Sequence, residues 1–281
     1  MTDSESALTE IVAALRNSAK YAHISATLLQ RMAAEEWTKR RSIKEAIKAA
    51  KNKLHQIGGA YQGDMRYAKW LPSLTATSPD HPTDLPILQR ILTQHASTRE
   101  RLPLLDTFYP RIFAQLPTPI HSVLDVACGL NPLTLPWMPL PKDVRYLACD
   151  IYADMIDFLN RCFAQFGYSN ARAEVCDVVS DLARSPQPST LGLSTPVDLA
   201  LVLKTIPCLE QIDKSIGTTL LDSLQAHYIV VSFPAQSLGG RNKNMATHYA
   251  AHFDTLVAGR PWHVQRLNFA TELVFVVDTK L

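Results

Sequence analysis

Three acids stand at spacings that suit a nucleotide. The stretch Val123–Leu133 reads V-L-D-V-A-C-G-L-N-P-L, a short apolar run ending in small residues and followed by a turn. Such a run is typical of a buried parallel strand, and the turn after it exposes backbone N–H groups that can cradle a nucleotide. It is not the G-x-G-x-x-G of a dinucleotide fold, because Ala127 and Asn131 stand where glycines are expected. Asp125 lies inside the run. Asp150 ends the next apolar run, about 20 residues beyond Gly129, where nucleotide-binding folds place the acid that accepts from ribose hydroxyls. Asp177 follows a third run, where a side chain or a backbone group could meet an adenine edge. One strand-end Asp is often only a helix cap. Three in register with one glycine turn point to an adenosine-containing cofactor.

A second reactive stretch, L-K-T-I-P-C-L-E-Q (Leu203–Gln211), follows the fourth strand candidate. Two chemistries compete there. Pro207-Cys208 resembles the nucleophile motif of cytosine-C5 methyltransferases, in which a thiolate adds to C6 of the ring. That thiolate needs an electropositive setting, and only Lys204 is near in sequence. The plainer reading is a buried Cys at a helix start. The other chemistry needs no protein nucleophile: guanine N7 has an sp² lone pair and no proton to lose, so the enzyme mainly aligns base and methyl donor. The absence of an N-P-P-Y motif for exocyclic amines fits N7 better than amine methylation. Further upstream, H-A-S-T-R-E-R-L (His95–Leu102) sets two arginines beside a helix N-terminus, which suits a carboxylate. Its S-T-R-E also has capping-box spacing, so a simple helix start is the alternative.

These groups need a scaffold at the ends of parallel strands. From Ser122 onward strand candidates (Ser122–Ala127, Val144–Cys149, Ala173–Cys176, Val197–Leu203, His227–Ser232) alternate with helical stretches at Tyr152–Phe166 and Leu209–Gln225. The alternation predicts a doubly wound α/β sheet. After a helix over Lys243–Phe253, W-H-V-Q-R-L-N-F and E-L-V-F-V-V-D follow in close succession and predict an antiparallel hairpin at the sheet edge. Such a hairpin separates a methyltransferase sheet from the all-parallel dinucleotide fold. Residues 5 to about 60 read as helices. The third, with the apolar stripe Ile43, Ile47, Ala50, Leu54 and Ile57, stops at Gly58-Gly59 and carries Lys44, Lys48, Lys51 and Lys53 off that stripe.

Charge divides the chain. Residues 1–115 hold 16 Lys and Arg against 11 Asp and Glu, while the rest holds 12 against 15. The basic half suits a polyanion, with a solvated helical surface as the alternative, and lysines of this spacing suit a phosphate backbone. The five cysteines include no C-x-x-C pair and read as buried thiols, with no metal site. No apolar run approaches the ~18 residues of a membrane span, and the acidic N-terminus is unlike a signal peptide, so a cytoplasmic protein is expected.

Five blocks in order carry a resemblance: K-L-H-Q-I-G-G-A-Y (Lys53–Tyr61), H-A-S-T-R-E-R-L, L-D-V-A-C-G-L-N-P (Leu124–Pro132), L-K-T-I-P-C-L-E (Leu203–Glu210) and S-F-P-A-Q-S-L-G-G-R (Ser232–Arg241). The turn is the D-x-G/A-x-G-x-N version of S-adenosylmethionine-dependent methyltransferases. The chain as a whole resembles the aminoglycoside-resistance 16S rRNA (guanine-N7) methyltransferases of the Arm/Rmt/Sgm type, which act in the decoding A site. The resemblance implies a class I, Rossmann-like methyltransferase domain over residues 84–281, with a helical lead-in at 84–116, and an N-terminal helical domain over 1–83 that docks on the assembled 30S subunit. It implies S-adenosylmethionine as methyl donor, S-adenosylhomocysteine as product, and a monomer.

Motif match then implies the residue roles. Arg101 would hold the methionine carboxylate, with His95, Ala96 and Ser97 lining that end. Ala127 and Gly129 would form the cradle, Asp150 would bind ribose, and Asp177 with Val178 would face adenine. Tyr61, Leu203 and Gln211 would complete the wall, and Lys204 would help position target or cofactor. Arg241 and Met245 would face RNA beside the target base; by their spacing on the third helix, not by motif, Lys44, Lys48, Lys51 and Lys53 would meet phosphates. A cytosine-C5 enzyme using Cys208, or a non-catalytic RNA-docking protein that binds the cofactor, stand as alternatives.

Overall fold

The computed structural model describes residues 3–40, 42–75, 86–184, 196–235 and 244–279. Helices α1 (Asp3–Arg16), α2 (Ala26–Arg40) and α3 (Ile43–Leu54) pack on one another. Apolar residues three and four apart build their common face: Ile11 and Leu15, then Leu28, Leu29 and Met32, then Ala46, Ala50 and Leu54 are all buried. Ile43, Ile47 and Ile57 lie at its margin, only partly buried. The helical coil stops at Gly59 as expected, but its last turn is not α-helical. The coil widens into a π-helical turn over His55–Gly59, closed by the Ala60 N–H donating to the His55 carbonyl at 2.7 Å.

Four shorter helices follow: α4 (Tyr67–Thr75), α5 (Pro86–Leu92), α6 (Ala96–Arg101) and α7 (Leu105–Phe113). Helix α6 opens the H-A-S-T-R-E-R-L block, but not as a capping box. His95 is the N-cap; the Ser97 hydroxyl turns to His95 Nδ1 at 2.9 Å, and the Thr98 hydroxyl donates to the Leu92 carbonyl at 2.6 Å.

The sheet contains seven strands in the order β3-β2-β1-β4-β5-β7-β6. They are β1 (Ser122–Val126), β2 (Arg145–Asp150), β3 (Ala171–Val175), β4 (Val197–Leu203), β5 (Ala226–Pro234), β6 (His263–Asn268) and β7 (Glu272–Asp278). The first five are parallel, and β7 runs antiparallel to both β5 and β6, so the expected closing hairpin is present. Order reverses between β1 and β4, which opens a crevice at their carboxyl ends, the usual ligand position in such sheets. Helices α8 (Ala153–Gln165), α9 (Val178–Arg184), α10 (Ile206–Leu209), α11 (Ile216–Ser223) and α12 (Met245–Val257) complete the layers. The helix expected over Leu209–Gln225 is shorter, α11 at Ile216–Ser223, with the short α10 (Ile206–Leu209) before it. Asp213 accepts from both the Ser215 N–H and hydroxyl at 2.8 Å, an Asx turn that ends one helix before the next begins.

Strand residues alternate between two cores, as period-two geometry requires. Val123, Tyr146, Leu199, Leu201 and Val230 join a cluster that also holds Ile11, Leu29 and Leu54 of the N-terminal helices. Leu124, Val126, Leu147, Ala200 and Val231 face the other cluster, against α11 and α12. The N-terminal helices therefore share their core with one sheet face, and backbone bonds add to it: the Ser25 N–H donates to the Ile151 carbonyl and the Ala153 N–H to the His23 carbonyl, both at 2.8 Å. The expected boundary at residue 83 lies outside the described residues. Among the described residues no helix is long and apolar enough to cross a membrane.

Candidate active site

The turn after β1 is built for close approach. Ala127 (φ 51°) and Gly129 (φ 54°) both take the left-handed conformation, which costs Ala127 strain and Gly129 none. A Cβ at residue 129 would lie 2.7 Å from the His95 ring, so only glycine fits beneath it. Three groups hold the turn from behind. Asn131 donates to Asp125 at 2.9 Å, Tyr146 donates to the same oxygen at 2.7 Å, and Tyr109 donates to Asn131 at 2.6 Å. Burial pushes the Asp125 carboxyl up to about 6 even though Asn131 and Tyr146 act to lower it. Asp125 therefore serves the turn and not a ligand.

Asp150 ends β2 and is oriented by backbone. Its carboxylate accepts from the Gly129 N–H at 2.9 Å and the Ile151 N–H at 2.7 Å. Burial raises its pKa, with these bonds pulling the other way. The Tyr152 N–H also bears on this carboxylate, whose remaining acceptor capacity can still take a ribose hydroxyl.

Above the turn lies a cavity of about 790 Å³, its open mouth included. Ala127, Asp150, Asp177, Val178, Leu203 and Lys204 line it from the sheet. Tyr61, His95 and Ser97 line it from the helices, together with Leu28, Ile57 and Gly58. The blocks around Tyr61 and His95 are tied by the Ala96 N–H, which donates to the Tyr61 carbonyl at 2.7 Å. Burial, then the neighbouring Arg101 and Lys204, pull His95 down to about 4, so the imidazole is neutral.

Several expected residues stand elsewhere. Arg101 lies behind the cavity, not on its wall. It is fully buried, its guanidinium bonded to Glu272 at 2.6 and 3.2 Å and to Asn131 at 2.7 Å. Burial alone raises the Glu272 carboxyl, but Arg101, Lys204 and Ser232 outweigh it and hold it below the usual range. The cation expected at the methionine end is thus locked in an internal pair, and Lys204 is the cation on the wall. Asp177 lines the cavity, yet its carboxylate is taken by Arg31 at 3.0 and 3.1 Å and by the Ser180 hydroxyl at 2.5 Å. An adenine there would meet backbone and Val178 sooner than the Asp177 side chain.

Ala96, Gln211 and Met245 line a second cavity, of about 950 Å³ with its mouth. It adjoins the first through Tyr61, Ser97 and Lys204, which line both. Lys44 and Lys48 are exposed and Lys51 partly so. Lys53 is a correction: its ammonium is turned inward, 2.8 Å from Glu36 and 3.3 Å from Glu35, so it is not a free phosphate contact. Arg241 lies outside the described residues. Cys208 is not poised as a nucleophile, since burial pushes its thiol up to about 11 despite the nearby Lys204.

Leu28, Gly58, Tyr152, Arg31 and Glu272 belong to the site although motif spacing did not point to them. Gly58 stands in the K-L-H-Q-I-G-G-A-Y block, where it read only as a helix end; a Cβ there would lie 2.8 Å from the Tyr152 hydroxyl. That hydroxyl is buried with no hydrogen-bond partner among the described residues, and Tyr152 lines the cavity two residues beyond Asp150.

Sheets with this glycine turn come in an all-parallel version and a version closed by an antiparallel pair; β7 decides for the second, and with it for S-adenosylmethionine-dependent methyl transfer. The cavity fits that cofactor: a backbone-oriented acid for the ribose, apolar walls for the adenine, and Lys204 at the far end. Among known families, ribosomal RNA methyltransferase (FmrO) matches residues 17–276, and the chain belongs to that family. It is 34% identical over 279 residues to the 16S rRNA (guanine(1405)-N(7))-methyltransferase of Micromonospora echinospora, covering 98% of this chain and 97% of that one. The namesake enzyme of Serratia marcescens is 33% identical over 272 residues, 96% of each chain. Among solved structures, the 16S rRNA methyltransferase RmtF in complex with S-adenosyl-L-homocysteine superposes with a TM-score of 0.80 at 32% identity, covering 99% of this chain and 98% of that one.

Proposed function

We propose that this protein methylates N7 of a guanine in the decoding A site of 16S rRNA, within the assembled 30S subunit, and thereby confers resistance to aminoglycosides that bind there. The observation that carries the reading is the junction of the two cavities. The cofactor space opens through Tyr61, Ser97 and Lys204 into a second space large enough for a flipped base. Bound S-adenosylmethionine supplies an electrophilic methyl on a cationic sulfonium. The chain's part is to orient and to dry the site. Asp150 fixes one end of the donor through its ribose, and the apolar walls exclude water. A neutral His95 adds no second cation near the sulfonium.

Guanine N7 attacks with its own lone pair, so neither a general base nor a protein nucleophile is required, and alignment supplies most of the acceleration. A Cys208 held as a thiol agrees with that route and disfavours covalent cytosine chemistry. The exposed Lys44 and Lys48 of α3 support docking on rRNA phosphates; the enzyme is proposed to be cytoplasmic and monomeric. The test is to incubate purified 30S subunits with labelled S-adenosylmethionine and map the product by primer extension after reduction and cleavage at N7-methylguanine. No label on 30S, or label at an adenine N1, would sink the reading.

A further inference from the structure

One ion pair on the wall between the cavities has the geometry of a base edge. Lys204 Nζ lies 2.7 Å from Glu100 Oε2, and both side chains line the second cavity. A donor and an acceptor set side by side complement guanine, whose O6 accepts and whose N1–H donates from neighbouring ring positions, with N7 on the other side of O6. Adenine presents the reverse order, an N6 amine beside an N1 lone pair. It would set amine against ammonium and lone pair against carboxylate.

Resting on the methyl-transfer reading above, we propose that Glu100 is a specificity-determining residue for the target base. Its carboxylate accepts from the guanine N1–H while Lys204 donates to O6, which turns N7 toward the cofactor cavity. Four observations support the assignment. First, Lys204 is held in place: it sits at φ 58° and its N–H donates to the Ser232 carbonyl at 3.0 Å. Second, one of its ammonium hydrogens is free for a ligand, because Glu100 and Glu272 (3.3 Å) are its only acid partners among the described residues. Third, apart from Lys204, no side-chain donor among the described residues reaches the Glu100 carboxylate, and that side chain is 23% exposed. Fourth, the second cavity offers flat apolar surfaces for a base. Tyr249 lies parallel to Phe233 at 4.9 Å, and Met245 and Pro207 stand on the same lining.

The test uses 30S subunits reconstituted with guanosine, inosine or 1-methylguanosine at the target position. Wild type, E100Q and E100A are compared by kcat/KM with labelled S-adenosylmethionine and by calorimetry of S-adenosylmethionine binding. Inosine keeps O6 and N1–H and should react within about 10-fold of guanosine. 1-Methylguanosine keeps N7 but loses the N1–H and brings a methyl against Glu100, so wild type should lose about 100-fold or more. E100A should lose about 100-fold on guanosine and E100Q about 10-fold, as a charged acceptor is replaced by none or by a neutral one. In E100A the preference for guanosine over 1-methylguanosine should collapse to within about threefold, with S-adenosylmethionine affinity unchanged in both variants. E100Q is isosteric and should fold, checked by its melting curve, so the proposal stays testable if E100A does not. An E100Q as fast as wild type, an E100A that keeps its full preference, or a loss of cofactor affinity equal to the loss of turnover would overturn it. A wild type that labels no guanosine-bearing 30S would overturn the methyl-transfer reading, and this assignment with it.

Discussion

The two walls of the cofactor cavity are made in different ways. The sheet wall is local and backbone-built: Gly129 to Asp150 is one βα turn and the strand beside it, joined by an N–H to carboxylate bond of 2.9 Å. The helical wall is assembled at long range. Leu28, Gly58 and Tyr61 reach the cavity because α2 and the π turn dock on the strand ends, and because Arg31 grips Asp177 across 146 residues. The difference teaches where sensitivity lies. Damage to the sheet wall should strike the ligand, whereas damage to the helical wall should strike the ligand and the docking surface together, since α3 carries Lys44 and Lys48 and leads into Gly58.

The largest effect should come from the pair that braces both walls. Glu272→Gln removes the charge opposite the fully buried Arg101 and should cost about 3–5 kcal/mol, read as a lower urea midpoint. Next is the sheet wall itself. Asp150→Ala should weaken S-adenosylmethionine binding by about 100-fold in calorimetry while 30S binding persists; equal loss of both would erase the distinction between the walls.

A third test is pH. His95 at about 4, below its usual 6.5, favours the native state fully above pH 6.5, and that contribution is lost as pH falls toward 4. Melting temperature measured over that window should therefore fall less steeply for His95→Gln than for wild type.

Smaller still, Lys44→Glu or Lys48→Glu should lower the salt slope of 30S binding by about 1 each and leave S-adenosylmethionine affinity intact. A variant that docks normally would show that the outer face of α3 is only solvated. The smallest effect is expected for Cys208→Ala, within about threefold of wild-type turnover, because a thiol pushed up to about 11 takes no part in the transfer. A loss of several hundredfold would restore the covalent alternative.

Much of the fold was legible because parallel strands buried on both faces announce themselves as apolar runs: β4 is Val197–Leu203 to the residue, and the closing hairpin was visible as two extended runs near the chain end. Misreadings arose where side chains redirected backbone. The Asp213 turn delayed the start of α11 to Ile216, and His95 took the cap position that S-T-R-E suggested for Ser97. Within the site, Asp150, Ala127 and Gly129 could be read from spacing, because a βα turn and its acid are neighbours in one supersecondary unit.

The fate of a charged side chain could not be read that way. Arg101, Asp177 and Lys53 all looked available for a ligand, and each is consumed by a partner distant in sequence: Glu272, Arg31 and Glu36. The sequence by itself determined the alternation of strands and helices, the glycine turn, the acid that ends the second strand and the basic N-terminal part, all of which depend on local periodicity or composition. Only the tertiary structure decided which charges pair inside and which face a cavity. Burial makes an unpaired charge costly, and the partner that relieves that cost is chosen by where distant elements pack.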